Sequence, residues 1–369
     1  METEHVVGVA DARDLSQIAD ESIDLVLTSP PYPMIGMWDE SFAELDPALS
    51  AGDLSPEERF RRMHGILDGV WRECYRVLRP GRMACINIGD ATRTVGENFR
   101  LYTNQARITA GCEALGFQSL PPILWWKPTN APNKFMGSGM LPGGAYVTQE
   151  HEYILLLRKG DKARFTGAEA RRRRRSAYFW EERNSWFSDI WDLRGIRQKL
   201  PARKTRERSG AFPFELAFRL IAMFSLYEDT VLDPFLGTGT TAAAALAAGR
   251  NSVGVERDPA LFPTIRETLL AVGGAAGGSG NGGASEEARE RQAERLRSHR
   301  AFVAAREAEG RELQYRNGPH DLPVMTRQER ELEIHGPAEV STVRQGSPEP
   351  TLQVRARHEL LETGDTAEA

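Results

Sequence analysis

Six residues, Thr28-Ser29-Pro30-Pro31-Tyr32-Pro33, combine groups that suit chemistry on a planar, amino-bearing base. Tyr32 offers a stacking face and Ser29 a hydroxyl. The carbonyls that precede the prolines are acceptors with no neighbouring N–H to compete. The preceding run, Ile23 to Leu27, is short, branched and apolar, which predicts a buried strand. Two prolines cannot continue a ladder, so the chain must leave the sheet there in a stiff, extended form. A rigid loop at the C-terminal edge of an α/β sheet is where such folds place their ligands.

A second constellation lies two hundred residues further on. The run Thr230-Val231-Leu232 predicts a strand, followed by Asp233-Pro234-Phe235-Leu236-Gly237-Thr238-Gly239-Thr240-Thr241 and an alanine-rich helix to about Ala248. Strand, glycine turn and helix form a nucleotide-binding arrangement. The glycines permit close backbone approach, and a helix N-terminus favours a carboxylate. Phosphate is the rival ligand, but no GK[ST] is present. The next strand, Ser252 to Val255, ends at Glu256, an acid placed to grip ribose hydroxyls. Asp11, just past a first strand at Val6–Ala10, either accepts from a ligand amino group or caps a helix.

The intervening elements position these groups. Ser55-Pro56 starts a helix whose apolar stripe runs from Phe60 to Leu78, and residues 82–88 predict a strand. Further elements are a helix over 104–115, strands at 123–127 and 152–157, and a long loop at 128–144. The stretch 34–54 has weak periodicity and predicts a mobile loop over the site, with Trp38 and Phe42 as lid aromatics or core residues. Strand–helix alternation predicts an α/β fold.

Charge is uneven along the chain. Residues 1–100 carry 10 Arg and no Lys against 18 Asp+Glu, a net −8, whereas residues 158–208 carry 17 Lys+Arg against 7 Asp+Glu, a net +10. A basic block in an acidic protein points to a polyanion. It contains the run Arg171, Arg172, Arg173, Arg174 and Arg175, then Trp180, Trp186 and Lys204, types that contact phosphates and bases or wedge between them. The three cysteines form no CxxC pair, which disfavours a disulfide framework or zinc site. No metal constellation appears, no apolar run approaches the ~18 residues of a membrane span, and the reading is cytoplasmic.

Taken together, SPPY preceding Asp-Pro-Phe-x-Gly-x-Gly, with a basic region between, resembles the β-class amino-methyltransferases of DNA over roughly residues 5–270. SPPY resembles the N4-cytosine group in particular. The continuation Pro33-Met34-Ile35-Gly36-Met37-Trp38 is similar to archaeal CTAG-modifying methylases. The resemblance implies a Rossmann-like fold that binds S-adenosyl-L-methionine (AdoMet), with circularly permuted motif order, an inserted target-recognition region and a helical or irregular C-terminal extension. It assigns catalysis to Ser29, Pro30, Pro31 and Tyr32. Cofactor binding falls to Asp11, Thr28, Phe212, Glu215, Asp233, Pro234, Phe235, Gly237, Thr238, Gly239, Thr240, Thr241 and Glu256. Trp125, Trp126 and His151 either line the target pocket or pack in the core.

The implied substrate is a cytosine flipped from duplex DNA, with N6-adenine methylation the nearest alternative and RNA methylation or DNA binding without turnover more distant. C5-cytosine chemistry requires a nucleophilic Cys, usually after Pro, and no cysteine here follows a proline. The domain reading is a catalytic half at 1–157, a target-recognition region at 158–210 and an AdoMet-binding half at 211–272. A linker at 273–285 and a charged, partly disordered extension at 286–369 follow. A monomer or homodimer, with or without a partner restriction endonuclease, completes the expectation.

Overall fold

The computed structural model describes residues 1–50, 54–95, 98–127, 142–143, 146–194, 198–199, 207–208, 212–273, 285–345 and 351–362. Its centre is a ten-stranded sheet. In chain order the strands are β1 (Glu2–Val9), β2 (Ile23–Thr28), β3 (Leu78–Ile88), β4 (Phe117–Trp126) and β5 (His151–Lys159), then β6 (Ile190–Asp192), β7 (Thr230–Asp233), β8 (Asn251–Glu256), β9 (His335–Gln345) and β10 (Thr351–Leu360). Their order across the sheet is β9-β10-β1-β8-β7-β2-β3-β5-β4-β6. The five strands from β1 to β3 are mutually parallel. β5 runs antiparallel to β3 and to β4, and β10 antiparallel to β1.

Helices cover both faces, as an inner parallel sheet requires. They are α1 (Asp39–Leu45), α2 (Pro56–Val77), α3 (Asn104–Leu115), α4 (Gly167–Arg175), α5 (Trp180–Trp186), α6 (Phe214–Phe224), α7 (Thr240–Ala247), α8 (Phe262–Gly273) and α9 (Ser285–Ala308). β2 shows the two-sided logic: Leu25 and Leu27 enter the core shared with Phe218, Ala244 and Ile265, while Ile23 and Val26 enter the core shared with Met63, Leu67 and Trp71. α2 begins at the predicted cap, with the Ser55 hydroxyl accepting from the Glu58 amide at 3.1 Å and Pro56 in the first turn. The helix after β2 leads to β3 on one side, and the helix after β7 leads to β8 on the other. The topological switch point therefore lies between β7 and β2.

Two expectations are corrected. The stretch 34–54 contains α1 and short 3-10 turns at Gly36–Trp38 and Pro47–Ser50, because Phe42 and Leu49 bury themselves against α2. The C-terminal extension is helical over α9, as expected, but it is not irregular beyond it: after a 3-10 turn at Arg327–Glu331, β9 and β10 extend the main sheet. Leu352, Val354 and Ala356 alternate into the core from β10. Phe179 of the basic block meets Leu296, Leu332, Ile334 and Leu361 in a smaller core. The 274–284 part of the expected linker, residues 128–141 and 144 of the long loop and the end at 363–369 lie outside the described residues, as does Lys204.

The β1–β10 seam buries histidines. His5 and His358 both contact the Thr3 hydroxyl, at 3.1 and 2.9 Å, and His5 also contacts Ser252 at 2.9 Å. Burial holds each near pH 3, well below the ordinary histidine value. Because the folded values lie below the unfolded ones, the folded chain binds fewer protons, and its stability falls as pH drops from about 6.5 towards 3. Thermal melts are expected to show this loss, at roughly 1.4 kcal/mol per histidine for each pH unit below 6.5. A His358→Gln variant should have a shallower acid limb.

Candidate active site

The C-terminal ends of the parallel strands form one edge, and every acidic or hydroxyl group of the two motifs comes from that edge. Asp11 follows β1, Glu256 ends β8, Asp233 ends β7, and Thr28 ends β2. At ~4.8 Å per strand, Asp11 and Ser29 are set by strands roughly 14 Å apart, the span of an extended small molecule.

Asp233 is the buried tie between the motifs. Its carboxylate accepts from the Thr28 hydroxyl at 2.6 Å, the Thr241 hydroxyl at 2.5 Å and the Phe235 amide at 3.0 Å. Burial raises its pKa to about 6, against the pull of the two threonine hydrogen bonds. Thr28, Asp233 and Thr241 thus brace the turn from below, and none of the three lines the cavity. Gly237 and Gly239 take φ of 57° and 93°, and the Gly237 amide donates to Glu256 Oε2 at 2.9 Å. Glu256 Oε1 accepts from the Asp258 amide at 2.8 Å, so both oxygens of the carboxylate are held by backbone amides.

These groups open on a cavity of about 440 Å³, bounded by Asp11, Ser29, Pro31, Pro234, Phe235, Gly237 and Glu256. Trp38 and Phe42 of the α1 segment close it from above, and the Arg257–Glu44 ion pair at 2.6 Å pins α1 to the β8 turn. Asp11 forms a paired contact with Arg13, whose hydrogen bonds hold its carboxyl below the usual range. The volume suits a small cofactor, and an acid at the β8 end with an aromatic wall suits a nucleoside. Phe212 and Glu215 are not brought to this cavity. Phe212 is core, and Glu215 pairs with Arg219 at 2.6 Å and Arg291 at 2.5 Å. Thr238 and Thr240 belong to the turn but do not line the cavity.

A second cavity, about 600 Å³, lies on the other side of the Ser29–Tyr32 loop, with Tyr32, Asp90, Lys127, His151 and Glu152 in its wall. Tyr32 is 5% exposed, and its ring packs so close to Gly89 that a Cβ there would approach it to 3.0 Å. Its hydroxyl donates to Glu152 at 2.8 Å and accepts from Asn87 at 2.8 Å. Burial, then the Glu152 charge, push this phenol well above its ordinary pKa, so it stays protonated. After Pro33 the chain turns back through Met34, a buried non-glycine residue at φ 65°, a conformation that stores strain of order 1 kcal/mol. His151 lines the second cavity. Trp125 is core, its indole N–H donating to Leu193, and Trp126 lies outside the wall. Asn87 had no motif to mark it, its only signal being its place near the end of a predicted strand. Lys127 and Glu152 lie in the Trp-Lys-Pro and Gln-His-Glu-Tyr segments that the resemblance sets beside the target pocket, without being singled out as site residues.

The arginine run faces elsewhere. Arg172 pairs with Asp229 at 2.8 Å, Arg174 with Glu331 at 2.9 Å and Arg175 with Glu333 at 2.8 Å, while Arg173 lies over the Phe165 ring. Asp229 precedes β7, so α4 docks at the strand-entry edge, opposite both cavities. Arg171 is on the same short helix. Trp186 is buried, and the Trp180 amide donates to Glu329. Arg172–Arg175 thus have intramolecular partners that composition alone did not reveal, Asp229 ahead of β7, Phe165, and Glu331 and Glu333 of the extension.

A DNA methylase family model matches residues 23–267. The type II methyltransferase M.MthZI of Methanothermobacter thermautotrophicus is 45% identical over 346 residues, covering 91% of this chain and 92% of the relative. M.MjaI of Methanocaldococcus jannaschii, also a type II methyltransferase, is 48% identical over 280 residues, covering 72% and 91%. TTHA0409, a proposed DNA modification methylase of Thermus thermophilus solved with AdoMet, superposes with a TM-score of 0.56 at 35% identity, covering 72% of this chain and 94% of that one.

Two variants separate the edges. Glu256→Ala should weaken AdoMet binding roughly 10- to 100-fold by calorimetry, the loss of charged hydrogen bonds. Arg172→Ala should cost roughly 2 kcal/mol in a urea melt by leaving Asp229 under-paired, with DNA affinity unchanged in a gel-shift titration.

Proposed function

The chain belongs to the DNA methylase family of N6- and N4-directed enzymes, and from that premise we propose that it methylates the exocyclic N4 of cytosine in duplex DNA. The family and the solved relative make AdoMet the methyl donor. The observation that carries the cytosine reading is the Ser29–Tyr32 loop standing between two cavities, with serine at the position where adenine enzymes more often have Asp or Asn.

The first cavity holds the cofactor: Glu256 grips the ribose hydroxyls, Asp11 and Phe235 flank the adenine, and the Gly237–Gly239 turn faces the methionine part. AdoMet supplies an electrophilic methyl on a sulfonium that departs as a neutral thioether. The second cavity receives the flipped base. Tyr32 supports its ring, while Ser29 Oγ and the Pro30 carbonyl accept from the amine and direct the nitrogen lone pair toward the first cavity. Positioning is the main contribution to rate, and no covalent enzyme intermediate forms. The three cysteines are buried, and burial raises their pKa, which fits a mechanism without a thiolate.

The residues Pro33 to Trp38, similar to those of CTAG-modifying methylases, make CTAG the first candidate site. A companion endonuclease in the cytoplasm would make the protein the protective half of a restriction–modification pair. Mass spectrometry of nucleosides from methyl-free DNA incubated with AdoMet and the protein tests the reading. N4-methylcytosine is expected, reduced at least tenfold by Ser29→Ala. N6-methyladenine in its place would overturn the base assignment.

A further inference from the structure

We propose that Glu152 is a positioning residue for methyl transfer: through Tyr32, it fixes the direction in which the Ser29 hydroxyl points its proton. The inference rests on the reading above.

The argument is one of hydrogen-bond direction. Glu152 lies in β5, remote in sequence from the catalytic loop, yet its Oε2 accepts from Tyr32 Oη at 2.8 Å and from Asn87 Nδ2 at 2.8 Å. Lys127 Nζ donates to its other oxygen at 2.5 Å. An ionised carboxylate accepts only, and an ammonium donates only. The ends of the chain of bonds are therefore fixed. Tyr32 spends its single proton on Glu152, so its oxygen can only accept from its other neighbours. One is Asn87 Nδ2 at 2.8 Å, whose amide orientation is set by the same carboxylate. The remaining neighbour is Ser29 Oγ at 3.1 Å, which must then be the donor.

With its proton committed to Tyr32, and Asn87 Nδ2 donating to it at 3.5 Å, Ser29 keeps only acceptor capacity to offer. Ser29 lines the cofactor cavity, whereas Glu152 lines only the second one. A target amine arriving between them meets an acceptor, the state needed to hold an N–H and turn the nitrogen lone pair toward the methyl group; the amine's surplus proton passes to water once the methyl has transferred. If Tyr32 donated to Ser29 instead, Ser29 could offer its own proton to the amine and oppose attack. Glu152 makes that arrangement costly, because it would leave a buried carboxylate without its phenol. Lys127, 4.5 Å above the Trp125 ring, holds the carboxylate from the far side.

The test is a double-mutant cycle of Glu152→Gln and Tyr32→Phe, read as single-turnover rate, DNA KM and AdoMet Kd. Glutamine can offer an N–H to Tyr32 and so releases the chain's direction. The expected result is a loss of about tenfold in rate for either variant, with KM and Kd unchanged. In the Tyr32→Phe background the Glu152 change should cost nothing further, because the hydroxyl through which it acts is gone. Losses that multiply, or a rate loss matched by a rise in KM or Kd, would overturn the proposal. Tyr32→Phe at wild-type rate would overturn it too, whether or not the Glu152 variant folds. Wild-type enzyme yielding no methylated nucleoside would instead sink the functional reading itself, so the two failures are distinguishable.

Discussion

The structure depends on one carboxylate at the sheet's switch point. Asp233 ends β7, Thr28 ends the neighbouring β2, and the 2.6 Å bond between them joins the glycine turn to the catalytic loop. The adjacent strands send their helices in opposite directions, so a crevice must open there. Without a cross-link the two loops that border it would move independently. A buried carboxylate with three donors is a stiff link, because each bond lost would leave charge unpaired in the core. Its raised pKa reflects the cost of that burial, and the Thr28, Thr241 and Phe235 donors offset it.

From this tie the site extends one strand at a time. Asp11 and Glu256 are held in place because β1 and β8 pair in register, with Val9 opposite Glu256. β1 itself is an inner strand only because β10 covers its other edge. The C-terminal extension therefore supports the outer wall of the first cavity, although none of the extension's described residues lines that cavity. Burying polar histidines at the same seam fits this role, since His5 and His358 stay neutral and bonded to Thr3 and Ser252 while the seam is closed.

What the sequence disclosed follows from where its information is local. Ser29 to Tyr32, the glycine turn and Glu256 each sit directly after an apolar run, so strand end and chemical group could be read in one window. α2 was equally legible from Ser55-Pro56 and its stripe. The extension was not: His335 to Gln345 mixes polar residues, Pro337 and a bulge, as a sheet-edge strand does, and carries little apolar alternation. The partners of the arginine run were hidden for a related reason. Five successive arginines announce charge, but Asp229, Glu331 and Glu333, which meet three of them, lie 57 to 158 residues away. Asn87 and Glu152 were invisible as a pair because only the β3–β5 pairing, Asn87 opposite Ile154, brings them together.

That pairing bears on why residue 32 is tyrosine. A phenylalanine would present the same ring, yet the buried end of the side chain faces Asn87 Nδ2 and Glu152 Oε2, two groups that need a partner able both to accept and to donate. Phenol does both. The hydroxyl thus anchors the platform to β3 and β5 at once, and the strands that shape the second cavity set the ring's position relative to the first. Ring placement and hydroxyl polarity at Ser29 then have a common origin in β5. Any change that shifts Glu152 in the wall of the second cavity reaches Ser29, in the wall of the first, through a single phenol.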